Sequence, residues 1–211
     1  MKNNNEITTD IVLIDIIDFS KLDSQQQLEI ISFLTKSYRK VIEKMLAPAH
    51  VELKDFIIGF ISTGDGFYSL LEPRYKGYGV ILGLSFNHFS EQISKKFPYF
   101  KGIRIAVHTG TVNRFHDILG HENFIGDGLN DCARYLEYKH FTISTVMVSE
   151  SAYKQFKSFL TYRPEYERIL HKREFKRSHA YTFEDKHGIV KNGYLVWMRK
   201  SGIITPPKYL L

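Results

Sequence analysis

Phe56-Ile57-Ile58-Gly59-Phe60-Ile61-Ser62-Thr63-Gly64-Asp65-Gly66-Phe67-Tyr68-Ser69-Leu70-Leu71 holds two apolar runs, Phe56 to Ile61 and Phe67 to Leu71, joined by a glycine-rich turn. Asp-Gly is a favoured hairpin pair because glycine supplies the backbone angles such turns demand, so the stretch reads as a β-hairpin. Upstream, Thr8 to Ile17 is dominated by Ile, Val and Thr and reads as a buried strand. Between the two, Asp23 and Ser24 offer N-caps for a helix whose apolar residues Leu28, Ile31, Leu34, Tyr38, Val41 and Met45 recur at helical spacing. Downstream, a helix from about Gly77 to Lys96 leads into a strand from Gly102 to Val112. The order β-α-β-β-α-β is the ferredoxin-like split βαβ arrangement, which predicts an α+β fold with an antiparallel sheet flanked by helices.

Further elements extend that sheet. They are a loop rich in Gly, His and Asn (Leu119 to Phe124), a short helix from about Asp127 to Tyr138 and a strand at Val146 to Ser149. A helix from about Glu150 to Phe159, an irregular basic segment and a last strand, Gly193 to Met198, follow. No repeat, low-complexity tract or linker interrupts the chain, so residues 1–211 are expected to form a single domain.

Composition narrows the class. Hydrophobic residues at 43%, charged residues at 25% and aromatics at 14% exclude disorder and fibrous repeats. No apolar run reaches the roughly 18 residues of a membrane span. The N-terminus lacks the apolar core of a signal peptide, and the single Cys132 cannot form an intrachain disulfide, so a cytoplasmic location is expected. Twenty-nine Lys and Arg against 23 Asp and Glu give +6, which suits polyanionic partners such as nucleotides. The basic run His171 to Arg177 reads as a solvated face, Cys132 as a small packed residue, and His108, inside a strand, as a hydrogen-bonded core residue. Walker A, Gly-x-Gly-x-x-Gly and His-Glu-x-x-His motifs are absent.

Two carboxylates stand out. Asp15 interrupts Ile11-Val12-Leu13-Ile14-Asp15-Ile16-Ile17, the most apolar strand, where an unpartnered carboxylate costs several kcal/mol. Asp65, by itself simple turn chemistry, sits on a hairpin that a split βαβ sheet lays beside the end of the first strand. Two converging oxygen donors without Cys or His in step favour Mg²⁺ or Mn²⁺ over Zn²⁺. Asn130 and Arg134, at i and i+4, share one helix face and present an amide and a guanidinium together, or form a solvent-facing pair.

Taken together these segments resemble the catalytic domain of class III nucleotidyl cyclases, the adenylate and guanylate cyclase family. Asp15-Ile16-Ile17-Asp18-Phe19-Ser20 resembles the family's Asp-Ile-x-Gly-Phe-Thr, and Thr63-Gly64-Asp65-Gly66-Phe67 its Gly-Asp turn. Ile103-Arg104-Ile105-Ala106-Val107-His108-Thr109-Gly110 resembles its Arg-x-Gly-x-His-x-Gly strand. Ile125 to Arg134 resembles the helix Gly-(Asp/Asn)-x-Val-Asn-x-Ala-x-Arg, so the motifs span most of residues 9 to 198. The resemblance implies a cyclisation assisted by two divalent ions, Mn²⁺ or Mg²⁺, held by Asp15, Asp65 and the Ile16 carbonyl. It implies phosphate binding by backbone N–H groups from Ile17 to Ser20, Phe19 and Ser20 foremost, at the start of the first helix. Arg104 and Lys186, with Lys191 as the alternative lysine, would meet the same phosphates. Arg134 would stabilise the pentavalent phosphorus and Asn130 would orient the ribose. It also implies a homodimer with two composite sites, the aspartates coming from one subunit and the Asn/Arg pair from the other.

Purine-specific members carry Lys or Glu where this chain has Ile61, and commonly Asp or Cys where it has Asn123. Ile61 can neither donate nor accept, whereas Asn123 can do both, which fits uracil or cytosine. This departure is most like the bacterial anti-phage pyrimidine cyclases of Pycsar systems, which make cUMP or cCMP to switch on an effector. UTP is the preferred substrate reading and CTP the next, with no membrane or nucleic-acid partner expected. A purine cyclase with a divergent pocket, an inactive nucleotide-binding module and a palm-type polymerase remain as alternatives. Asp18 replaces the family's glycine and brings a negative charge to the phosphate loop unless it turns outward.

Overall fold

In a computed structural model that describes residues 5–138, 145–185 and 187–205, the first strand runs as β1 from Glu6 to Ile16. Val12, Ile14 and Ile16 enter one apolar cluster, and Ile11 and Leu13 enter another on the opposite side of the sheet. A strand covered on both faces needs an unbroken apolar run, which is the pattern in the sequence.

Helix α1 (Ser24–Leu46) opens on a capping box: Gln26 N donates to Asp23 Oδ1 at 2.8 Å and Asp23 N to Gln26 Oε1 at 3.2 Å. It buries Ile30, Leu34, Tyr38, Val41 and Met45, while Leu28, expected on that stripe, lies at its edge and is 60% exposed. A single turn, α2 (Leu53–Phe56), leads into the hairpin β2 (Ile57–Ser62) and β3 (Gly66–Leu71). Helix α3 (Tyr78–Lys96) and strand β4 (Ile103–His116) complete the unit. The order β2-β3-β1-β4, all antiparallel, is the split βαβ sheet expected from the sequence. Asp15 pairs with Gly66 on one side and with Arg104 on the other. Gly66 is obligatory there, since a Cβ would stand 1.9 Å from the Ile14 carbonyl oxygen.

The rest of the chain widens the sheet. The loop expected at Leu119 to Phe124 contains β5 (Glu122–Ile125), paired with an extended β4. The reversal is made by Asp117, whose Oδ1 accepts from Leu119 N at 2.8 Å and His121 N at 3.0 Å. Helix α4 (Asp127–Tyr135) follows, then β6 (Val146–Ser149), parallel to β4, and α5 (Glu150–Tyr162). The segment read as irregular is in fact α6 (Pro164–Lys172), β7 (Phe175–Arg177) and β8 (Tyr181–Glu184). Pro164 at the first helical position, Glu165 and Glu167 in the first turn and Lys172 in the last suit a helix despite the basic composition. The last strand, β9 (Val190–Met198), begins earlier than expected and completes β2-β3-β1-β4-β6-β9-β7, with β5 on β4 and β8 on β9.

Helices α1, α3 and α5 cover one face of this sheet. Helix α4 covers the other through Cys132, Tyr135 and the adjoining Leu136, packed among Ile11, Leu13, Ala106 and Met147. Asp10 ties β1 to its surroundings: Oδ2 accepts from Gly77 N at 2.7 Å and Gly79 N at 3.0 Å, and Oδ1 from Thr109 Oγ1 at 2.6 Å. This carboxylate caps α3 from a neighbouring strand, because Gly77 has no side chain to do so.

His108 is a core residue as expected, its Nδ1 3.0 Å from Ser149 Oγ. Burial pushes its pKa down to about 4 from 6.5. The unfolded chain therefore takes up a proton before the folded one does, and this group's contribution is present above pH 6.5 and lost as pH falls towards 4. Urea unfolding should show a loss of up to about 3 kcal/mol from His108 across that window. In His108→Gln the slope should flatten, and an unchanged slope would disprove the buried neutral imidazole.

Candidate active site

Strand alternation puts Asp15 on the face of Ile11 and Leu13, at the end of β1 where the cover of α4 runs out. The hairpin tip is pinned to it, since Ile16 N donates to the Asp65 carbonyl at 2.8 Å. Thr63 Oγ1 donates to Asp65 Oδ1 at 3.0 Å. The two carboxylates thereby line one cleft of about 300 Å³ with Thr63, Tyr68, Arg104 and Glu137. A larger cleft, about 540 Å³, opens beside the start of α3, where Arg74, Lys76 and Arg163 sit instead of paired carboxylates.

Arg104 meets the half-buried Asp15 carboxylate from the next strand, donating from Nε at 2.8 Å and Nη2 at 2.6 Å, both to Asp15 Oδ2. Its Nη1 donates to the Leu136 carbonyl at 3.3 Å. Desolvation raises the Asp15 pKa and Asp65 pushes it further up, while Arg104 works against both. Neighbouring carboxylates with hard oxygen donors fit a divalent cation, with the Ile16 carbonyl as a further donor. Among the described residues no cluster of three or more His, Cys, Asp or Glu side chains forms. Two carboxylates suit ions that complete their shells with water and phosphate oxygens, as Mg²⁺ does.

Asn130 is exposed on α4, and Arg134, one turn on, is enclosed by carboxylates. Its Nη1 donates to Asp131 Oδ1 at 2.7 Å and its Nε lies 3.1 Å from Asp185 Oδ2. Lys191 Nζ donates to the same Asp131 oxygen at 2.8 Å. Lys186 lies outside the described residues. Asp131 and Asp185 were not legible as site residues, although the i, i+3 spacing of Asp131 and Arg134 was a usable signal. Ala133, Leu136 and Glu137 line the Asp15 cleft from this side, and Asn130 and Arg134 do not.

The phosphate-loop expectation needs correction in two respects. Ile17 N is already bound to the Gly102 carbonyl at 3.0 Å, so it is not free for a phosphate. Phe19 and Ser20 belong to a separate 3-10 turn, Phe19–Lys21, and α1 starts later, behind the Asp23 cap. Asp18 takes the left-handed conformation, φ 59°, that a glycine adopts more freely. Its carboxylate turns to Lys21 at 3.0 Å and Lys101 at 3.2 Å, and these hydrogen bonds lower its pKa. The two base-reading positions lie on β2 and β5: Ile61 pairs with Tyr68, and Asn123 Oδ1 accepts from Phe124 N at 2.8 Å. Phe124 packs over Gly59 of β2, where a Cβ would come within 2.6 Å of its ring.

The fold is that of adenylate and guanylate cyclase catalytic domains. The catalytic core of a rhodopsin-guanylyl cyclase with converted specificity, solved with ATPαS, aligns over 92% of this chain and 99% of its own, with TM-score 0.64 and 16% identity. The guanylate cyclase domain of RhGC from Catenaria anguillulae, solved with GTP, aligns over 92% and 99%, with TM-score 0.59 and 17% identity. An adenylate/guanylate cyclase/hydrolase from Silicibacter pomeroyi aligns over 93% and 99%, with TM-score 0.59 and 16% identity. No family model and no curated protein matches the sequence. Among the described residues no helix is long and apolar enough to cross a membrane.

A divalent cation entering this cleft would compete with Arg104 for Asp15. Removing the guanidinium in Arg104→Gln should therefore tighten Mn²⁺ binding by about tenfold, or about 1.4 kcal/mol. Water-proton relaxation titrations measure this directly. Equal or weaker binding would mean that the two carboxylates do not hold the ion.

Proposed function

We propose that this chain is a nucleotidyl cyclase, converting a nucleoside triphosphate to its 3′,5′-cyclic nucleotide and pyrophosphate. The observation that carries this reading is the convergence of Asp15 and Asp65 beside Arg104 in one cleft, on a fold shared with cyclase catalytic domains. Asp15, Asp65 and the Ile16 carbonyl are the groups that would hold two divalent ions, Mg²⁺ or Mn²⁺, and the chemistry supplied there would be acidification of the ribose 3′-hydroxyl and neutralisation of triphosphate charge. The 3′-oxygen attacks the α-phosphorus and pyrophosphate leaves. Arg104 binds the terminal phosphates with Lys186 or Lys191, and the Phe19–Ser20 backbone contributes N–H groups. Arg134 stabilises charge on the phosphorus, and Asn130 orients the ribose.

A second copy completes the site. Asn130 and Arg134 do not line the cleft of their own subunit, and about 300 Å³ is at the small end for a nucleotide pocket. A two-fold homodimer with two composite sites answers both points.

The substrate we propose is a pyrimidine triphosphate, UTP before CTP. Ile61 has no polar atom for a purine edge. With Asn123 Oδ1 engaged by Phe124 N, its amide N–H groups are left to meet a base. Uracil O4 accepts such a bond, whereas cytosine N4 donates. The product would then serve as a second messenger for an effector, as in Pycsar anti-phage systems. A purine substrate is the second reading, favoured by the GTP and ATPαS held by two structures of the same fold.

Purified protein with Mn²⁺ and each of ATP, GTP, CTP and UTP, with products resolved by mass, should yield cUMP, or cCMP if cytosine is read. Formation of cAMP or cGMP alone would sink the pyrimidine assignment, and no product would sink the cyclase reading. Asp65→Asn should abolish turnover while light scattering still shows a dimer. Mixing it with Arg134→Ala protein should restore about a quarter of wild-type activity, since about half the dimers are mixed and each has one intact site. No recovery after demonstrated subunit exchange would exclude shared sites.

A further inference from the structure

The turn between β8 and β9 is built on one buried carboxylate. Asp185 Oδ1 accepts from His187 N at 2.9 Å and Ile189 N at 3.0 Å, and the Asp185 carbonyl accepts from Gly188 N at 3.0 Å. These bonds use one carboxylate oxygen. The other, Oδ2, is buried, has no hydrogen-bond partner, and faces Arg134 Nε at 3.1 Å. Among the described residues Arg134 is the cation at ion-pair distance from it, and the Asp185 side chain is wholly enclosed. Burial pushes the Asp185 pKa up, but the two backbone N–H groups and Arg134 outweigh it, so the group is ionised.

Arg134 is held from a second side. Asp131, three residues earlier on α4, accepts from Arg134 Nη1 and from Lys191 Nζ, which comes from β9. Two cations and two anions thus form a neutral knot joining α4 to the β8–β9 hairpin. The guanidinium faces Asp185 through Nε as an ion pair and donates to Asp131 through Nη1. A free arginine side chain loses rotamer entropy when ordered, and a residue ordered in advance does not incur that cost in the transition state.

Resting on the cyclase reading, we propose that Asp185 is a positioning residue for Arg134, with Asp131 as its second hold. Asp185 touches no substrate; it fixes the direction of the guanidinium that does. Lys191 belongs to this clamp through Asp131.

Asp185→Asn tests the assignment, because the amide oxygen keeps an acceptor for His187 N and Ile189 N while an uncharged NH2 group replaces the carboxylate oxygen facing Arg134. We expect kcat to fall about 30-fold with KM for the triphosphate within about twofold, since the lost effect is on transition-state stabilisation. Adding Asp185→Asn to Arg134→Ala should cost nothing further. Mixed with Asp65→Asn protein, Asp185→Asn should recover activity; mixed with Arg134→Ala protein, it should not. A fully active Asp185→Asn, or a double variant that multiplies the two losses, would overturn the proposal. The Arg134 Nε–H signal in a ¹⁵N spectrum gives a readout independent of turnover: slow exchange in the wild type, fast in Asp185→Asn. An unchanged signal would also overturn it. Should Asp185→Asn fail to fold, the half-exposed Asp131→Asn makes the same test through Nη1. An Arg134→Ala enzyme as active as wild type would sink the catalytic role of Arg134, and with it this proposal, whereas a wild type that forms no cyclic product would sink the cyclase reading and leave the clamp to the Nε signal.

Discussion

Strand β1 is buried on both faces, and beyond the exposed Glu6 at its start it carries two carboxylates five positions apart, which alternation sends to opposite faces. Asp10 points to the side of α3, where three donors, Gly77 N, Gly79 N and Thr109 Oγ1, share its two oxygens. Asp15 points to the side of α4, where one guanidinium binds a single oxygen twice. The first carboxylate is satisfied by neutral protein groups and fixes how α3 meets the sheet. The second relies on a charge that another cation can replace. A buried carboxylate costs several kcal/mol unless compensated, so the fold is arranged around how each one is met.

The same constraint explains what the sequence made legible. The hairpin, α3 and β6 were readable because their apolar spacing and turn residues are local signals. Asp15 and Asp65 were readable because a carboxylate in an apolar strand and an Asp-Gly turn are local too. By contrast, β5 and β8 are four-residue strands whose existence depends on pairing with β4 and β9. Helix α6 was obscured by a basic composition that its caps and end charges offset. Asp185 was invisible for the same reason as β8: its role needs a hairpin from one end of the chain to meet a helix from the middle. Asp18 shows the limit of motif matching, since its backbone takes a left-handed conformation that glycine adopts more freely while its charge goes to Lys21 and Lys101.

The described cations that resemblance assigns to the nucleotide are all paired in the single chain: Arg104 with Asp15, Arg134 with Asp131 and Asp185, Lys191 with Asp131. These pairings are not equivalent. Arg104 is 39% exposed, beside a cleft open to solvent, so exchanging its carboxylate for phosphate oxygens uncovers no buried charge that an incoming ion would not meet. Arg134 cannot leave without stranding the enclosed Asp185 carboxylate, a loss of several kcal/mol. On the proposed reading, substrate binding would therefore move Arg104 and leave Arg134 where the β8–β9 turn holds it. A mobile cation suits the terminal phosphates, which arrive and depart, and a fixed one suits charge that develops only at the reacting phosphorus.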